Sequence, residues 1–326
     1  SSGSMMVELS TQTLPATVSS LDYKAFYNGS GCSRILAPNV TTLSITLIIC
    51  LLGLVGNGIV IWFLGFRMKR NPFTVYILNL AVADTGFLLC SVAHRAASIV
   101  QYLFCGNPEF LHILFLITVL CVWTYSTSLY LLAAISTERC VSVLCPIWYR
   151  CRRPRHLSAI VSALLWALPF LLFCSVCIFC LLLNEFCETS LLYVFILNVL
   201  IFSPIMVLSS LTLFIKVRWS SQRRPPGKLY AVILLTILFF LLFTLPQSFA
   251  FFLSYLRIIK PTPILYMLAC ASSSINPFIY FLVGSYGKRR FCGSLKLALQ
   301  RVFEEQRDSG EDKDPPPSTD PMETVV

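Results

Sequence analysis

Seven long apolar stretches dominate this sequence and restrict what the chain can fold into. They cover residues 42–66, 74–102, 110–142, 157–181, 191–217, 229–256 and 262–284. Each stretch is long enough to cross a hydrocarbon core of about 30 Å as a helix that rises about 1.5 Å per residue. Apolar residues run continuously rather than in alternation, which favours helices over the strands of a membrane barrel. We therefore predict an all-α membrane protein built as a bundle of seven transmembrane helices.

The composition supports a membrane protein. Of the 326 residues, 56% are hydrophobic and only 12% are charged, whereas a soluble domain carries about 25% charged residues. The net charge of +10 comes largely from short basic runs between the apolar stretches. This layout is typical of a membrane orientation signal and argues against nucleic acid as a partner.

The basic runs predict how the chain is oriented. The loops after the first, third, fifth and seventh stretches are rich in lysine and arginine, whereas the opposite loops contain chiefly Arg257 and Lys260. Because basic loops stay in the cytoplasm, we expect the N-terminus outside the cell and the C-terminus inside, in a multi-pass protein of the plasma membrane. Asn28 and Asn39 each begin an N-glycosylation acceptor tripeptide, which agrees with an extracellular N-terminal tail.

The two ends of the chain are predicted to lie outside the bundle. Residues 1–41 form the extracellular tail, of which 1–4 resemble the remnant of an expression tag, and residues 42–284 form the bundle. Residues 285–303 alternate apolar and basic side chains at helical spacing, which predicts a short amphipathic eighth helix on the inner leaflet. Residues 304–326 are acidic and rich in proline, which predicts a disordered cytoplasmic tail.

The extreme C-terminus carries a recognition pattern of its own. Thr324 in the third-last place and Val326 at the end fit a class I PDZ ligand. Such a peptide adds as a strand to the PDZ domain, with its carboxylate held by backbone amides. A PDZ-domain protein is therefore a predicted partner.

Polar residues inside the apolar stretches cost free energy and need a reason, and five of them are the most informative. They are Asn57, Asp84, Ser128, Arg139 and Asn276. Arg139 ends the third stretch in Thr-Glu-Arg-Cys, and Asn276 begins Asn-Pro-Phe-Ile-Tyr in the seventh. A single arginine at this depth can simply reach toward the headgroups, but the whole set indicates a function inside the bundle.

These residues belong to a set of landmarks that follow one another over the seven stretches. The set is Asn57, Asp84, Arg139, Trp166, Pro204, Pro246 and Pro277. It resembles the signature of the rhodopsin-like G-protein-coupled receptors. The segments 65–73, 135–140, 146–151, 273–277 and 280–285 are similar to the Mas-related receptor subfamily. The resemblance implies a receptor for an extracellular peptide or small-molecule ligand, with a heterotrimeric G protein (Gq first, Gi second) and arrestin as partners.

The same resemblance implies which residues carry activation to the G protein. They are Arg139, Tyr280, Asn276, Pro277, Pro246, Phe240 and Phe243. Pro246 removes a backbone hydrogen bond and kinks the sixth helix, whose outward swing would let a Gα subunit reach Arg139. The tryptophan that most family members carry before this proline is missing, so we expect Phe240 and Phe243 to relay the motion.

An ion site is implied in the middle of the bundle. Oxygen atoms of Asp84, Ser128 and Asn276 can bind Na⁺ in the inactive state, and an ion that prefers one state shifts the equilibrium between states. The alternative is a hydrogen-bonded polar network without sodium. No other cofactor is predicted.

The extracellular disulfide is expected to depart from the common family pattern. Leu114 stands where most rhodopsin-like receptors carry a bridged cysteine. Mas-related receptors can instead pair a cysteine at the end of the fourth helix with one at the start of the fifth, and Cys180 and Cys187 match those places. Two free thiols are the alternative.

The ligand site is less clearly marked in the sequence. Cys121 stands where amine receptors carry an aspartate, which argues against an amine ligand. Arg95 either faces the cavity to take a carboxylate or reaches the headgroups, and Glu185 and Glu188 either meet a basic peptide or are simply solvated. The aromatic candidates for the pocket can equally pack or face lipid; they are Trp123, Tyr125, Phe249, Phe252 and Tyr255.

Two other classes of membrane protein compete with the receptor interpretation. A small transporter or channel would show repeat symmetry, broken helices at the midplane and charged pairs across helices, and none is evident. A membrane enzyme needs clustered catalytic groups, but the three histidines (His94, His112 and His156) are dispersed over both membrane faces and no nucleophile–base pair is evident. We therefore expect that the protein is not an enzyme.

Overall fold

The computed structural model describes residues 40–68, 71–103, 108–154, 156–178, 194–220, 228–243, 245–255, 258 and 263–285. Its elements within these ranges are nine α-helices and two π-helical turns. The helices are α1 (Val40–Trp62), α2 (Pro72–Leu103), α3 (Pro108–Leu144), α4 (Pro146–Cys151), α5 (Leu157–Ile178), α6 (Ser203–Ser220), α7 (Lys228–Phe243), α8 (Leu245–Tyr255) and α9 (Pro263–Ser285). The π-helical turns are Phe63–Arg67, which continues α1, and Asn198–Phe202, which precedes α6.

Seven helical segments are long and apolar enough to cross a membrane. They are Val40–Arg67, Pro72–Val100, His112–Leu144, Leu157–Ile178, Val194–Lys216, Ala231–Ala250 and Pro263–Val283. The predicted all-α bundle of seven transmembrane helices is therefore confirmed. The extracellular tail up to residue 39, the rest of the predicted eighth helix from residue 286 and the cytoplasmic tail lie outside the described residues.

A proline follows the irregular turn of the fifth crossing, and another lies in the sixth. Pro204 has no N–H to give to the preceding turn, and the wider π-helical turn Asn198–Phe202 stands directly before it, with Ser203 Oγ donating to the Asn198 carbonyl at 2.8 Å. In the sixth crossing α7 and α8 are separated only by residue 244, which lies outside the described residues. Pro246, the second residue of α8, has no N–H to give to the turn before it.

The outer surface of the bundle is as apolar as its interior. Large hydrophobic side chains such as Leu51, Leu164 and Leu208 are 59%, 61% and 64% exposed, which suits contact with lipid tails. Because lipid is as apolar as leucine, close packing and interhelical polar contacts hold such helices together. Three buried clusters lie among the described residues. The largest surrounds Leu80, Tyr130 and Ile237 in the predicted cytoplasmic half and is called the cytoplasmic cluster, and two smaller ones lie in the predicted outer half.

Small residues let the helices approach closely at two places. A Cβ atom on Gly53 of α1 would lie 2.2 Å from Ser274 Oγ of α9 and 2.7 Å from Leu88 Cδ1 of α2. A Cβ atom on Gly86 of α2 would lie 2.9 Å from Thr124 Cγ2 of α3. These contacts hold α2 tightly between α1 and α3, so that its polar residues can reach both neighbours.

A short helix, α4, follows the inner end of α3. Its first residue is Pro146, which suits the first helical position, and the Arg152 N–H caps it by donating to the Trp148 carbonyl at 2.9 Å. Ile147 is 80% exposed, so α4 presents an apolar side chain on the predicted cytoplasmic side.

Candidate functional site

A narrow cavity lies in the predicted outer half of the bundle. It is lined by Phe87, Thr118, Cys121, Val122, Tyr125, Phe195, Gln247, Ser248 and Tyr266 and has a volume of about 50 Å³. Ligand pockets usually measure about 300–1,000 Å³. A ligand must therefore widen this cavity or lie partly above it.

The floor of the cavity connects α3 to the sixth crossing. The hydroxyls of Tyr125 and Ser248 share a hydrogen bond, and both residues are buried. The Tyr125 ring lies 5.9 Å from the ring of Phe87 and 6.3 Å from that of Phe240 on α7. A group that pushes on Tyr125 therefore acts on both α7 and α8.

The upper wall of the cavity is built around Tyr266 of α9. Its hydroxyl donates to Ser91 Oγ at 2.9 Å and lies 3.9 Å from the Cys121 sulfur. The guanidinium carbon of Arg95 lies 4.7 Å from the centre of the Tyr266 ring, and the His94 ring lies 6.3 Å from it. Arg95 thus turns into the bundle and lies beside a cavity-lining ring, rather than turning away to the headgroups.

A polar network occupies the middle of the bundle. Asp84 is 1% exposed, and its carboxylate accepts hydrogen bonds from Ser128 Oγ at 3.0 Å and from the Asn276 amide at 2.7 Å. The fully buried Asn57 donates to the Ser273 carbonyl at 3.1 Å. Helices α1, α2, α3 and α9 are therefore joined by polar contacts at one depth.

The oxygen atoms of Asp84 and Ser128 are of the kind that coordinates a sodium ion. Carboxylate and hydroxyl oxygens are the ligands that hard cations prefer, and Asp84 and Ser128 supply both. Asn276 presents its N–H₂ group to Asp84, so its side chain would turn to offer the carbonyl oxygen as a third ligand. No lysine or arginine of the described residues pairs with this buried carboxylate, which leaves its charge without a counter-ion. A network without sodium also remains consistent with these hydrogen bonds.

At the predicted cytoplasmic end of α3, Glu138 is bonded to residues that follow this helix. Its carboxylate accepts hydrogen bonds from the Arg153 guanidinium at 2.6 Å and from the Tyr149 hydroxyl at 2.8 Å. Burial raises the pKa of Tyr149 to about 12, so this hydroxyl keeps its proton and remains a donor at neutral pH. Glu138 thereby fastens α4 and the start of α5 to α3.

Arg139 points into the bundle. It is 3% exposed, and its guanidinium carbon lies 4.3 Å from the centre of the Phe73 ring at the start of α2. Tyr280 is 1% exposed and belongs to the same cytoplasmic cluster. Both side chains are therefore covered in this conformation, and a partner that approaches from the cytoplasm would need the helices to separate.

The structure brings several predicted residues together and leaves others apart. Pro277 is buried against Gly56, and Phe243 packs beside Phe239 with ring centres 5.5 Å apart. Phe249 is 51% exposed and does not line the cavity, and Trp123 packs against aromatic residues of α5, with its ring 5.7 Å from that of Trp166.

The remaining predicted positions cannot be placed. The loop acids Glu185 and Glu188, the cysteines Cys180 and Cys187, the acceptors Asn28 and Asn39, and the C-terminal Thr324 and Val326 lie outside the described residues, as does the side chain of Phe252.

Sequence reasoning missed Tyr266, Ser248, Ser91 and Arg153 as site residues. The hydroxyl groups of Tyr266, Ser248 and Ser91 inside apolar stretches were a signal, because each is costly in a membrane unless it is bonded. Arg153 could not be separated by sequence from the other basic residues of its loop, since its pairing with Glu138 depends on how α4 turns the chain back.

The sequences of known proteins align with most of this chain. Residues 56–280 match the model of the family "7 transmembrane receptor (rhodopsin family)". The chain is 42% identical to mouse proto-oncogene Mas over 78% of this chain and 81% of that protein. It is 43% identical to Mas-related G-protein coupled receptor member D of Macaca fascicularis over 86% of this chain and 90% of that protein. It is 45% identical to Mas-related G-protein coupled receptor member H of Rattus norvegicus over 82% and 84% respectively. These relatives are receptors, which confirms the prediction that the protein is not an enzyme and excludes a transporter or channel. The chain therefore belongs to the rhodopsin family of seven-transmembrane receptors and, within it, to the Mas-related G-protein-coupled receptors.

Proposed function

We propose that this receptor binds an extracellular peptide or small-molecule ligand at the outer cavity and in response activates a heterotrimeric G protein, with Gq as the first and Gi as the second candidate. The observation that carries the proposal is the bond between Tyr125 and Ser248 at the cavity floor. It connects the place where a ligand would enter to the sixth crossing, which contains Pro246. A ligand that widens the cavity would separate these two hydroxyls and release α8 from α3.

The movement of α8 would be transmitted to the cytoplasmic side through α7. Phe240 lies against Tyr125 in the upper part of α7, and the buried side chains Val232 and Ile237 of the same helix belong to the cytoplasmic cluster. An outward movement of α7 would open this cluster around Arg139 and Tyr280, which are covered in the structure. The exposed pair could then receive the C-terminal helix of a Gα subunit.

Sodium is proposed as an allosteric ion at Asp84, Ser128 and Asn276. The support is a buried carboxylate without a cationic partner among the described residues, bordered by hydroxyl and amide groups on two other helices. When bound there, the ion would supply a counter-charge. It would favour the conformation in which α2, α3 and α9 converge, because it would contact groups from all three helices.

The further partners rest on the sequence alone. We propose an extracellular N-terminus and a cytoplasmic C-terminus from the basic loops, arrestin as a second cytoplasmic partner, and a PDZ-domain protein that takes Thr324 and Val326 at the C-terminal carboxylate. The Cys180–Cys187 disulfide and glycosylation at Asn28 and Asn39 likewise stay predictions.

The test of the coupling proposal is nucleotide exchange with purified components. Wild-type receptor, Arg139→Ala and the control Arg67→Ala would be placed in nanodiscs, and GTPγS uptake would be followed on Gq and on Gi. Arg67 is a matched control because it is also a basic residue near the inner membrane face, but its side chain is exposed.

We expect wild-type receptor and Arg67→Ala to accelerate exchange on Gq, and Arg139→Ala to lose this acceleration. Acceleration on Gi alone would reverse the order of the two G proteins. Equal rates for all three receptors, indistinguishable from empty nanodiscs on both G proteins, would contradict G-protein activation by the unliganded receptor.

A further inference from the structure

Among the described residues, none supplies a counter-charge to the Arg95 side chain. It belongs to the outer part of α2, about three helical turns beyond Asp84. Its Nε atom is buried and has no hydrogen-bond partner, while its guanidinium carbon lies 4.7 Å from the centre of the Tyr266 ring. Among the described residues, the ion pair found is the one between Arg153 and Glu138, on the opposite side of the membrane. A buried donor of a charged group is costly to leave unbonded.

The surroundings of Arg95 favour an anion. His94 Nδ1 is buried beside it and is likewise without a hydrogen-bond partner. The cavity next to Tyr266 is lined by aromatic, aliphatic, hydroxyl, thiol and amide groups, none of which carries a negative charge in its ordinary state. In a medium of low dielectric constant, one uncompensated cation dominates the local potential. The outer end of the cavity should therefore attract a negatively charged group and repel a positively charged one.

We propose that Arg95 receives the carboxylate of the receptor's ligand, while the apolar part of that ligand enters the cavity beside Phe87 and Tyr125. This inference deepens the proposed function, on which it rests for the existence of an extracellular ligand. A guanidinium group matches a carboxylate with two parallel hydrogen bonds. Because Tyr266 covers the guanidinium and also borders the cavity of about 50 Å³, its ring would turn aside to admit the ligand.

Two sources can supply this carboxylate, a small organic acid or the free C-terminus of a peptide. The probes are therefore two matched pairs, each differing only in charge. One pair is 4-phenylbutyrate and 4-phenylbutyramide; the other is a tripeptide that ends in phenylalanine, as the free acid and as the amide. Binding would be measured by ligand-observed NMR on purified receptor in nanodiscs of zwitterionic lipid.

Three receptors would be compared: wild type, Arg95→Gln, and Arg67→Gln as the control on the other face. Arg95→Lys would serve as a second variant, because it keeps the charge but loses the planar pair of donors. We expect wild type and Arg67→Gln to bind at least one acid about tenfold more tightly than its amide, since a charge-assisted pair contributes about 1.5–3 kcal/mol. Arg95→Gln should bind acid and amide equally, and Arg95→Lys should lie between. The probe pair whose acid binds more tightly than its amide shows whether the carboxylate comes from a small organic acid or from the C-terminus of a peptide.

The proposal is overturned if neither acid binds, if acids and amides bind alike to wild type, or if the preference for the acid persists in Arg95→Gln. A monodisperse Arg95→Gln sample with unchanged thermal midpoint shows that loss of binding is not loss of fold. The readout is binding and not signalling, so its failure is distinguishable from failure of the coupling proposal. A receptor that prefers the acid but accelerates no nucleotide exchange would retain this site and lose the proposed function.

Discussion

Removing the hydroxyl of Tyr125 should raise the basal activity of this receptor. Tyr125→Phe deletes the hydrogen bond to Ser248 but keeps the ring, and with it the contacts to the Phe87 and Phe240 rings at 5.9 Å and 6.3 Å. The substitution thus removes a polar link between α3 and α8 with little change in packing. If the link exists only in the inactive conformation, its loss lowers the free energy needed to reach the active one.

The size of the effect follows from the strength of a buried hydrogen bond. Such bonds contribute about 0.5–1.5 kcal/mol in folded proteins, and interhelical ones in a membrane protein average about 0.6 kcal/mol. While the active state is a minor population, a shift of this size in the free-energy difference between the two states multiplies that population by the corresponding Boltzmann factor. We therefore expect unliganded nucleotide exchange to rise about three- to tenfold in Tyr125→Phe.

The double-mutant cycle isolates this bond. Ser248→Ala removes the other partner, so Tyr125→Phe combined with Ser248→Ala should be no more active than the more active of the two single variants. Ser175→Ala is the matched control, because the Ser175 hydroxyl bonds within its own helix, to the Leu171 carbonyl at 2.9 Å. GTPγS uptake at equal receptor concentration is the assay. Unchanged uptake in Tyr125→Phe, or two single effects that simply add, would refute the reasoning.

Three further predictions concern the ion site and the stability of the bundle. Replacing NaCl by choline chloride at constant ionic strength should raise basal exchange of wild type and leave Asp84→Asn unchanged; an equal response of both would count against sodium at this carboxylate. Gly53→Ala should lower the thermal midpoint, at a cost of about 1–3 kcal/mol, because its Cβ atom has no room, whereas Gly58→Ala in the same helix meets nothing within 4 Å and should be neutral or mildly stabilising. Arg153→Gln should destabilise the receptor by about 3 kcal/mol, since it breaks an ion pair whose side chains are 6% and 11% exposed. Arg152→Gln changes an exposed neighbour and is the control. Equal thermal midpoints for Arg152→Gln and Arg153→Gln would show that the ion pair contributes nothing to stability.

The seven helices could be predicted because a continuously apolar segment of about 20 residues satisfies its backbone hydrogen bonds in a membrane by forming a helix. The irregular pieces could not. The six residues of α4 are too few to produce a periodic signal, and the π-helical turn Asn198–Phe202 differs from an α-helical turn only in its backbone hydrogen bonds.

The inward and outward faces of each helix were the main obstacle to predicting the site. In a soluble helix the polar face is recognisable, but here lipid and interior are both apolar, so the sequence does not separate them. Cys121 and Tyr125 are four residues apart on α3 and line the cavity, whereas Trp123 between them packs toward α5. Ser248 is 3% exposed and its neighbour Phe249 is 51% exposed, although the aromatic residue was the more attractive candidate for a pocket.

Helix α3 is the element that connects the three parts of the site. Tyr125 borders the cavity, Ser128 bonds to Asp84 in the central network, and Arg139 lies at the cytoplasmic end. About 20 Å of helix separates Tyr125 from Arg139, and these residues belong to one unbroken helix. A rigid helix cannot pass on a signal by changing its own length. The movement must therefore occur in a neighbour. The sixth crossing is suited to it because it contains Pro246 and contacts α3 through Tyr125. The ion pair between Arg153 and Glu138 fastens α4 and α5 to α3, so we expect a ligand to displace α7 more than these helices.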